Sequence, residues 1–186
     1  CLTGCLVDVA QTLQKFSKND IHQSIVSSIT KGEIYTSAIL EPLNHDPENP
    51  NTTAVFDDDK IIINGLKYLS ELSSLAKGIL ISASSNKGVI LALVKTDNVK
   101  LTQLTSTANS PLFKVELKNV SIEESDVVHE EGRGLEALKY LLQINMVMRS
   151  YIALGVTNKM TSLIASYTSE REQFGRVIGT FQAVSH

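Results

Sequence analysis

Residues 113–148 read FKVELKNVSIEESDVVHEEGRGLEALKYLLQINMVM, and the periodicity of the apolar residues changes within them. Up to Val120 apolar and polar residues alternate, which is typical of a strand with one buried and one exposed face. After residues 129–134, Leu135 and Leu138 begin a pattern of three- and four-residue spacings, which is typical of a helix. The stretch therefore predicts that a β domain ends here and that a helical domain begins.

The helical pattern continues far beyond this point. Apolar residues mark a stripe that reaches Phe174, and no proline follows Pro111. We expect one helix from Leu135 to about Phe174, ended by Gly175 and far longer than the ~11–12 residues of an average helix. Such a helix needs partners on more than one side, which predicts a helical bundle and contact with another subunit.

The part of the chain before the change of periodicity is rich in short strand-like runs. They read TTAVF, KIIING, GILISAS, GVILALV and LFKVELKNVSI, with turn-forming residues such as DDD and SSNKG between them. No long helical pattern separates these runs, so we expect an antiparallel β-barrel or sandwich from about Glu33 to Val128. Before it, the apolar residues from Leu2 to Ile29 recur at helical spacing and predict two helices. The predicted fold class is α+β and multidomain, a small antiparallel β domain flanked by helical segments.

The composition limits the classes of partner. The 186 residues are 42% hydrophobic and 20% charged with a net charge of −3, values that are typical of a globular protein. Lysine and arginine do not cluster beside aromatic residues, so nucleic acid is not an expected partner. No apolar run approaches the ~20 residues that cross a bilayer, so we expect no membrane span. The expected location is the cytoplasm, or the mitochondrial matrix in a eukaryote.

The cysteines and the two ends of the sequence add two further expectations. Cys1 and Cys5 have no cluster of His or Cys elsewhere to join, so we expect reduced, buried thiols and no metal site. The sequence opens on Cys1 within a helical pattern, and it closes on FQAVSH, which resembles the start of another helix. We therefore expect the chain to be part of a longer protein.

Four stretches carry distinctive combinations of residues. They read KGEIYTSAILEP (31–42), DDDKIIINGLKYLSEL (57–72), FKVELKNVSIEESDVVHEEGRG (113–134) and SEREQFGRVIGTFQAVSH (169–186). In this order they resemble motifs of the acyl-CoA dehydrogenase family: a strand ending in Thr-Glu-Pro, Asn-Gly-x-Lys followed by Trp-Ile-Thr-Asn, the acidic turn before the first C-terminal helix, and Arg-x-Gln-Phe-Gly followed by Phe-Gln. The last is the most specific.

The resemblance implies a domain organisation and an activity. Residues 1–31 would end an N-terminal helical domain, residues 32–128 would form the middle β domain, and residues 129–186 would begin a C-terminal four-helix domain. The implied activity is FAD-dependent α,β-dehydrogenation of an acyl-CoA thioester, with hydride passing to the flavin and electrons to an electron-transfer flavoprotein or a similar acceptor. The implied assembly is a homo-oligomer, a dimer or a tetramer, built through the C-terminal helices.

The last motif supplies four of the implied FAD contacts. In the family the Arg, the Phe and the later Gln of one subunit reach a flavin that its neighbour mainly binds, and here these are Arg171, Phe174 and Gln182. Gln173 of the same motif is the fourth expected contact. A guanidinium presents a fork of donors that suits a diphosphate. We expect Arg171 and Phe174 to share one face of the last turn of the long helix, since they lie three residues apart.

The second motif supplies two more implied FAD contacts. Tyr68 takes the place of the tryptophan that packs on the flavin, and Ser70 takes the place of the threonine whose hydroxyl meets it. Both exchanges preserve the chemistry, an aromatic face and a hydroxyl donor.

Two departures from the family pattern leave the function open. Residues 43–47 read LNHDP where the family has Gly-x-Gly-Ser-Asp, and Leu40 replaces the threonine before Glu41. Where some members carry a Glu-Arg pair on the long helix this chain has Asn145 and Met146, and an amide cannot act as the base, so no catalytic residue is predicted. The alternatives are a non-catalytic homologue used for assembly or partner binding, and a member with other flavin chemistry, such as a monooxygenase or a nitroalkane oxidase.

Overall fold

The structure is a computed structural model that describes residues 2–107 and 110–186, and side chains from residue 6 onward. Cys1 and the side chain of Cys5, on which the expectation of buried thiols falls, lie outside the described part. The chain divides into two compact units, Cys1–Asn145 and Met146–His186, and each is described by itself.

Two helices open the first unit, as their apolar spacing predicts. Helix α1 spans Leu2–Phe16 and helix α2 spans Asp20–Thr30. The side chain of Asn19 starts α2, since its Oδ1 accepts a hydrogen bond from the backbone nitrogen of Ile21 at 2.8 Å.

The middle of the chain forms one seven-stranded sheet. Its strands are β1 (Tyr35–Ala38), β2 (Thr53–Asp57), β3 (Lys60–Glu71), β4 (Gly78–Ser85), β5 (Gly88–Lys95), β6 (Lys100–Leu104) and β7 (Leu112–Glu123). The spatial order is β1-β4-β2-β3-β7-β6, and β5 also pairs with β4. This architecture, a small β domain flanked by helices, confirms the predicted fold class.

The sheet is mixed rather than wholly antiparallel. The pairs β2–β3, β4–β5, β6–β7 and β3–β7 are antiparallel as expected. Strand β1 pairs with β4 in parallel, with Tyr35 opposite Gly78, and Thr53 of β2 forms a parallel bridge with Ser84. The expectation of antiparallel pairing throughout is wrong here, because the chain passes through the β2–β3 hairpin before it returns beside β1 in the same direction.

Strand β4 is buried on both faces and separates two apolar clusters. Ile79 and Ile81 belong to a cluster within the sheet, whereas Leu80 belongs to a second one that packs α1 and the start of the long helix on the other face. This double burial explains the continuous apolar run GILISA, which shows no alternation.

The long helix, α3, spans Gly134–Glu170. Its existence and its start confirm the prediction, but it ends before Arg171. Within residues 2–107 and 110–186, no helix is both long and apolar enough to cross a membrane.

The segment after α3 is a β-hairpin rather than a helix end. Strands β8 (Glu172–Gln173) and β9 (Arg176–Val177) pair antiparallel, and the two residues between them, Phe174 and Gly175, have φ of 54° and 78°. Two successive residues at positive φ are typical of a tight type I′ turn. The expectation that Arg171 and Phe174 share a helical turn is therefore wrong. A short helix, α4 (Gln182–Ser185), follows.

Candidate functional site

A strained bulge interrupts the end of β3. Its register with β7 shifts between Lys67 and Ser70, and Leu69 and Leu72 both have φ of 57°. Tyr68 and Leu69 are 36% and 43% exposed on this bulge. Left-handed backbone at a leucine costs about 1–3 kcal/mol and persists where the surroundings enforce it, often at functional sites.

Strand β1 and the residues after it hold the bulge in place. The backbone nitrogen of Tyr68 donates to the carbonyl of Leu40 at 2.8 Å, and Thr36 Oγ1 donates to the carbonyl of Glu71 at 2.8 Å. The hydroxyl of Ser70 donates to the carbonyl of Ser37 at 3.0 Å. These hydrogen bonds offset the backbone strain and keep Tyr68 and Leu69 at the surface.

The two predicted flavin contacts on this segment, Tyr68 and Ser70, differ in their exposure and in their hydrogen bonds. Tyr68 offers a partly exposed aromatic face. Ser70 is 2% exposed. Its hydroxyl donates a hydrogen bond to the carbonyl of Ser37 and accepts one from Ser73 Oγ at 2.7 Å. The structure thus uses the Ser70 hydroxyl to anchor the bulge, and its contact with flavin stays a prediction.

A buried ion pair lies beneath this segment. Lys67 Nζ lies 2.7 Å from Oε1 of Glu41, and the two side chains are 0% and 3% exposed. Lys67 also donates to Ser82 Oγ at 3.1 Å and to the carbonyl of Ile39 at 3.4 Å. The lysine of Asn-Gly-x-Lys and the glutamate of Glu-Pro, two separate motifs in the sequence, are thus partners in the fold.

The protonation of this pair follows from burial and from its hydrogen bonds. Burial alone would raise the pKa of Glu41, but hydrogen bonds from Lys67 and Thr52 lower it to about 2. Burial lowers the pKa of Lys67 to about 8, against the opposing effect of Glu41. At neutral pH Glu41 is therefore a carboxylate that organises its surroundings.

The other residues of the Asn-Gly-x-Lys motif have structural roles of the same kind. A Cβ at Gly65 would lie 2.4 Å from Thr52 Oγ1, so glycine allows Thr52 to approach β3 closely. Thr52 Oγ1 and nitrogen then donate to Glu41 Oε1 at 2.6 and 2.9 Å. Asn64 Oδ1 accepts from the nitrogen of Asn119, which has φ of 50°.

The loop that departs from the family pattern is closed by its own side chains. Glu41 Oε2 accepts from the nitrogen of Asn51 at 2.6 Å and from Asn44 Nδ2 at 3.1 Å. Asp46 Oδ1 accepts from the nitrogen of Glu48 at 3.1 Å. At the start of this loop Leu43 is 97% exposed with φ of 59°, so a leucine occupies a conformation that suits glycine.

The second unit contains the other four predicted contacts. Arg171, Gln173, Phe174 and Gln182 are all exposed, and three of them lie within the segment from the end of α3 to the hairpin turn. Phe174 is 94% exposed, and its ring lies 6.3 Å from that of Phe181, the residue before Gln182. The hairpin thus brings the aromatic and amide residues of the motif to one end of α3.

A neighbouring cation completes this surface. The guanidinium carbon of Arg176 lies 3.9 Å from the centre of the Phe181 ring, within the range of a cation–π contact. The sequence reasoning did not single out Arg176, although it lies in the same motif. In the part of the chain that the structure describes, no group of three or more His, Cys, Asp or Glu side chains could hold a metal ion.

A buried polar cluster was also not predicted. Asp8 is fully buried in α1, and its Oδ2 accepts hydrogen bonds from Ser37 Oγ at 3.0 Å and from Asn145 Nδ2 at 2.9 Å. The sequence feature that indicates this cluster is Asp8 itself, an aspartate beside Val9 on the apolar face of an amphipathic helix. The side chain of Asn145 thus has a structural partner in Asp8.

Comparison with known proteins supports the resemblance. The chain is 25% identical to the protein named "Probable acyl-CoA dehydrogenase YngJ" from Bacillus subtilis (strain 168), over 94% of this chain and 50% of the relative. It is 29% identical to a cyclohex-1-ene-1-carbonyl-CoA dehydrogenase from Syntrophus aciditrophicus (strain SB), over 68% of this chain and 33% of the relative. No family model matches the sequence.

Comparison with a solved structure supports the same resemblance at the level of the fold. A glutaryl-CoA dehydrogenase from Mycobacterium smegmatis, in complex with FADH2, matches with a TM-score of 0.91 at 20% identity, over 99% of this chain and 50% of that chain. The chain spans about half the length of the Bacillus relative. These matches confirm the resemblance to the acyl-CoA dehydrogenases that the motifs predict.

Proposed function

We propose that the full-length protein is an FAD-dependent dehydrogenase of acyl-CoA thioesters. The observation that carries this proposal is the match to a protein named as a probable acyl-CoA dehydrogenase over 94% of the chain. The bound FAD would accept the hydride from the substrate. The electrons would then pass to an electron-transfer flavoprotein or a similar acceptor.

The exposed residues of the two units suit the parts of FAD. Tyr68 and Leu69 offer a partly exposed apolar surface for the flat flavin ring. In the second unit, the guanidinium of Arg171 suits a diphosphate, and Phe174 suits an adenine ring. Arg171 and Phe174 are both exposed, as contacts to a cofactor held mainly by another subunit must be. Their residue types and their exposure therefore both support the proposal.

The three-domain division is part of the same proposal. Residues 1–31, 32–128 and 129–186 would belong to the N-terminal helical, middle β and C-terminal four-helix domains of the whole protein. The apolar residues that α3 exposes in the second unit would pack against further helices and a second copy. These exposed apolar residues are Met146, Val147, Tyr151, Leu154, Val156, Met160, Leu163, Ile164 and Tyr167.

The absorption spectrum of the purified full-length protein tests the proposal. We expect flavin bands, restored by added FAD after the cofactor is stripped. Anaerobic addition of acyl-CoA thioesters of different chain lengths should then bleach the bands, since reduced flavin absorbs less. If the flavin bands are present but no thioester bleaches them, the protein binds FAD and the proposed reaction is excluded.

A second candidate is a non-catalytic homologue that uses the same fold for assembly or partner binding. The observation that favours it is the hydrogen bond that the amide of Asn145 donates to Asp8 at 2.9 Å, since the resemblance implies that this residue takes the place of the base of some family members. A full-length protein that stays colourless with excess FAD would support this candidate over the first.

A further inference from the structure

One buried carboxylate connects three elements of the first unit. Asp8 of α1 is 0% exposed, and its Oδ2 accepts from Ser37 of β1 at 3.0 Å and from Asn145 of α3 at 2.9 Å. Its Oδ1 accepts from the backbone nitrogen of Val9 at 2.7 Å. We call Asp8, Ser37 and Asn145 the polar clamp.

The polar clamp is continuous with the strained bulge. The side chain of Ser37 donates to Asp8, while its carbonyl accepts the hydroxyl of Ser70 at 3.0 Å. The hydroxyl of Ser70 in turn accepts from Ser73 Oγ at 2.7 Å. Ser37 is thus the shared residue, and a shift of its backbone would move the acceptor that anchors the bulge.

We propose that Asp8 is a positioning residue for the surface formed by Tyr68 and Leu69. Through Ser37 it fixes the part of β1 that holds the bulge in its strained, exposed conformation. Hydrogen bonds to a buried carboxylate are stronger than those between neutral groups, so they resist the strain that would otherwise let the bulge relax. The inference rests on the proposed function, since it assigns Tyr68 and Leu69 to the flavin ring.

The first test compares two variants of the full-length protein. Asp8→Asn retains the size of the side chain but removes the carboxylate that accepts from both Ser37 and Asn145. The matched control is Thr12→Val, because Thr12 is also 0% exposed, lies one turn further along α1 and donates only to the backbone carbonyl of Asp8 at 2.7 Å. A change specific to Asp8→Asn therefore reports on the carboxylate rather than on damage to the helix.

The first measurement is FAD affinity, from the quenching of flavin fluorescence on titration into the stripped protein. Asp8→Asn should weaken binding by about tenfold or more, the loss expected for hydrogen bonds to a charged group. Thr12→Val should change the affinity by less than about twofold. In a Ser70→Ala background, Asp8→Asn should add little further loss, because the connection is already cut.

The second measurement does not need the cofactor. Amide hydrogen exchange of a peptide covering residues 68–73, in the FAD-free protein, should be faster in Asp8→Asn and Ser37→Ala and unchanged in Thr12→Val. If Asp8→Asn lowers only the melting temperature, with exchange at 68–73 and FAD affinity like the parent, Asp8 is structural and the proposal is overturned.

The two measurements also separate this inference from the proposed function. A parent protein that binds no FAD would overturn the proposed function, and with it the flavin assignment of the bulge. A parent that binds FAD, together with an Asp8→Asn variant that binds it equally well, would overturn the role of Asp8 alone.

Discussion

Lys67 Nζ lies 2.7 Å from Glu41 Oε1, and both side chains are almost completely buried. The pair connects the end of β3 to the loop after β1, and Glu41 also organises residues 44, 51 and 52 through its remaining hydrogen bonds. The bulge that carries Tyr68 follows directly after Lys67. The candidate site is thus built on an ion pair that lies between two sequence motifs.

Removal of one member of this pair should be much more costly than removal of both. Lys67→Met leaves a buried carboxylate without its cation, and we expect a loss of about 3–5 kcal/mol in the free energy of unfolding. The double variant Lys67→Met/Glu41→Gln should lose clearly less, because no buried charge remains. Urea unfolding of the full-length protein measures both. Equal losses in the single and the double variant would contradict this account.

Two histidines, His22 and His129, should make the protein less stable below neutral pH. Burial lowers the pKa of His22 and of His129 below the ordinary value of 6.5, so the unfolded chain binds more protons than the folded one in this range. Their contribution to stability is fully present above pH 6.5 and is lost as the pH falls towards the folded pKa values. Unfolding free energies at pH 7.5 and 5.5 test this, and the double variant His22→Gln/His129→Gln should flatten the difference.

A substitution in the hairpin turn should affect cofactor binding without reducing the stability of the fold. Phe174→Asn should leave the melting temperature unchanged or raise it, because asparagine before glycine suits a type I′ turn and Phe174 is 94% exposed. The same variant should retain less FAD through gel filtration if Phe174 contacts the cofactor. Gly175→Ala is the control for the backbone: its Cβ would meet nothing within 4 Å, so only the positive φ opposes it, at a cost of about 1–2 kcal/mol.

Arg171 should matter for FAD and little for folding. Its backbone nitrogen donates to Tyr167 and its carbonyl accepts from Ile178, and both bonds survive substitution. Arg171→Ala should weaken FAD binding by about 30-fold or more, the loss of two charge-assisted hydrogen bonds to a phosphate. Arg171→Lys should restore binding in part, since it supplies a charge without the fork. A variant that retains its FAD but melts much earlier would show that Arg171 is structural.

The full-length protein should be a homo-oligomer. The second unit exposes a series of large apolar side chains along α3, and a stable protein covers surfaces of this kind with further structure. Light scattering should therefore give a dimer or a tetramer at micromolar concentration. A stable monomer would contradict the predicted subunit contact.

Much of the architecture could be predicted because it depends on local periodicity. The alternation before Val120 and the helical spacing after Gly134 located the end of the β domain and the start of α3. The prediction failed at Arg171, where the helix gives way to a hairpin. A glycine after an aromatic residue is compatible with a helix end and with a tight turn, and only the pairing of Glu172 with Val177 distinguishes them.

The order of the elements, the resemblance to the acyl-CoA dehydrogenases and the residue types available for a cofactor can all be read from the sequence. Which residues meet depends on the three-dimensional path of the chain. Lys67 pairs with a glutamate 26 positions away, Asn145 with an aspartate 137 positions away, and β1 runs parallel to β4. The physical reason is that periodicity reports which face of an element is buried, whereas a hydrogen bond between distant residues depends on the path of the chain between them.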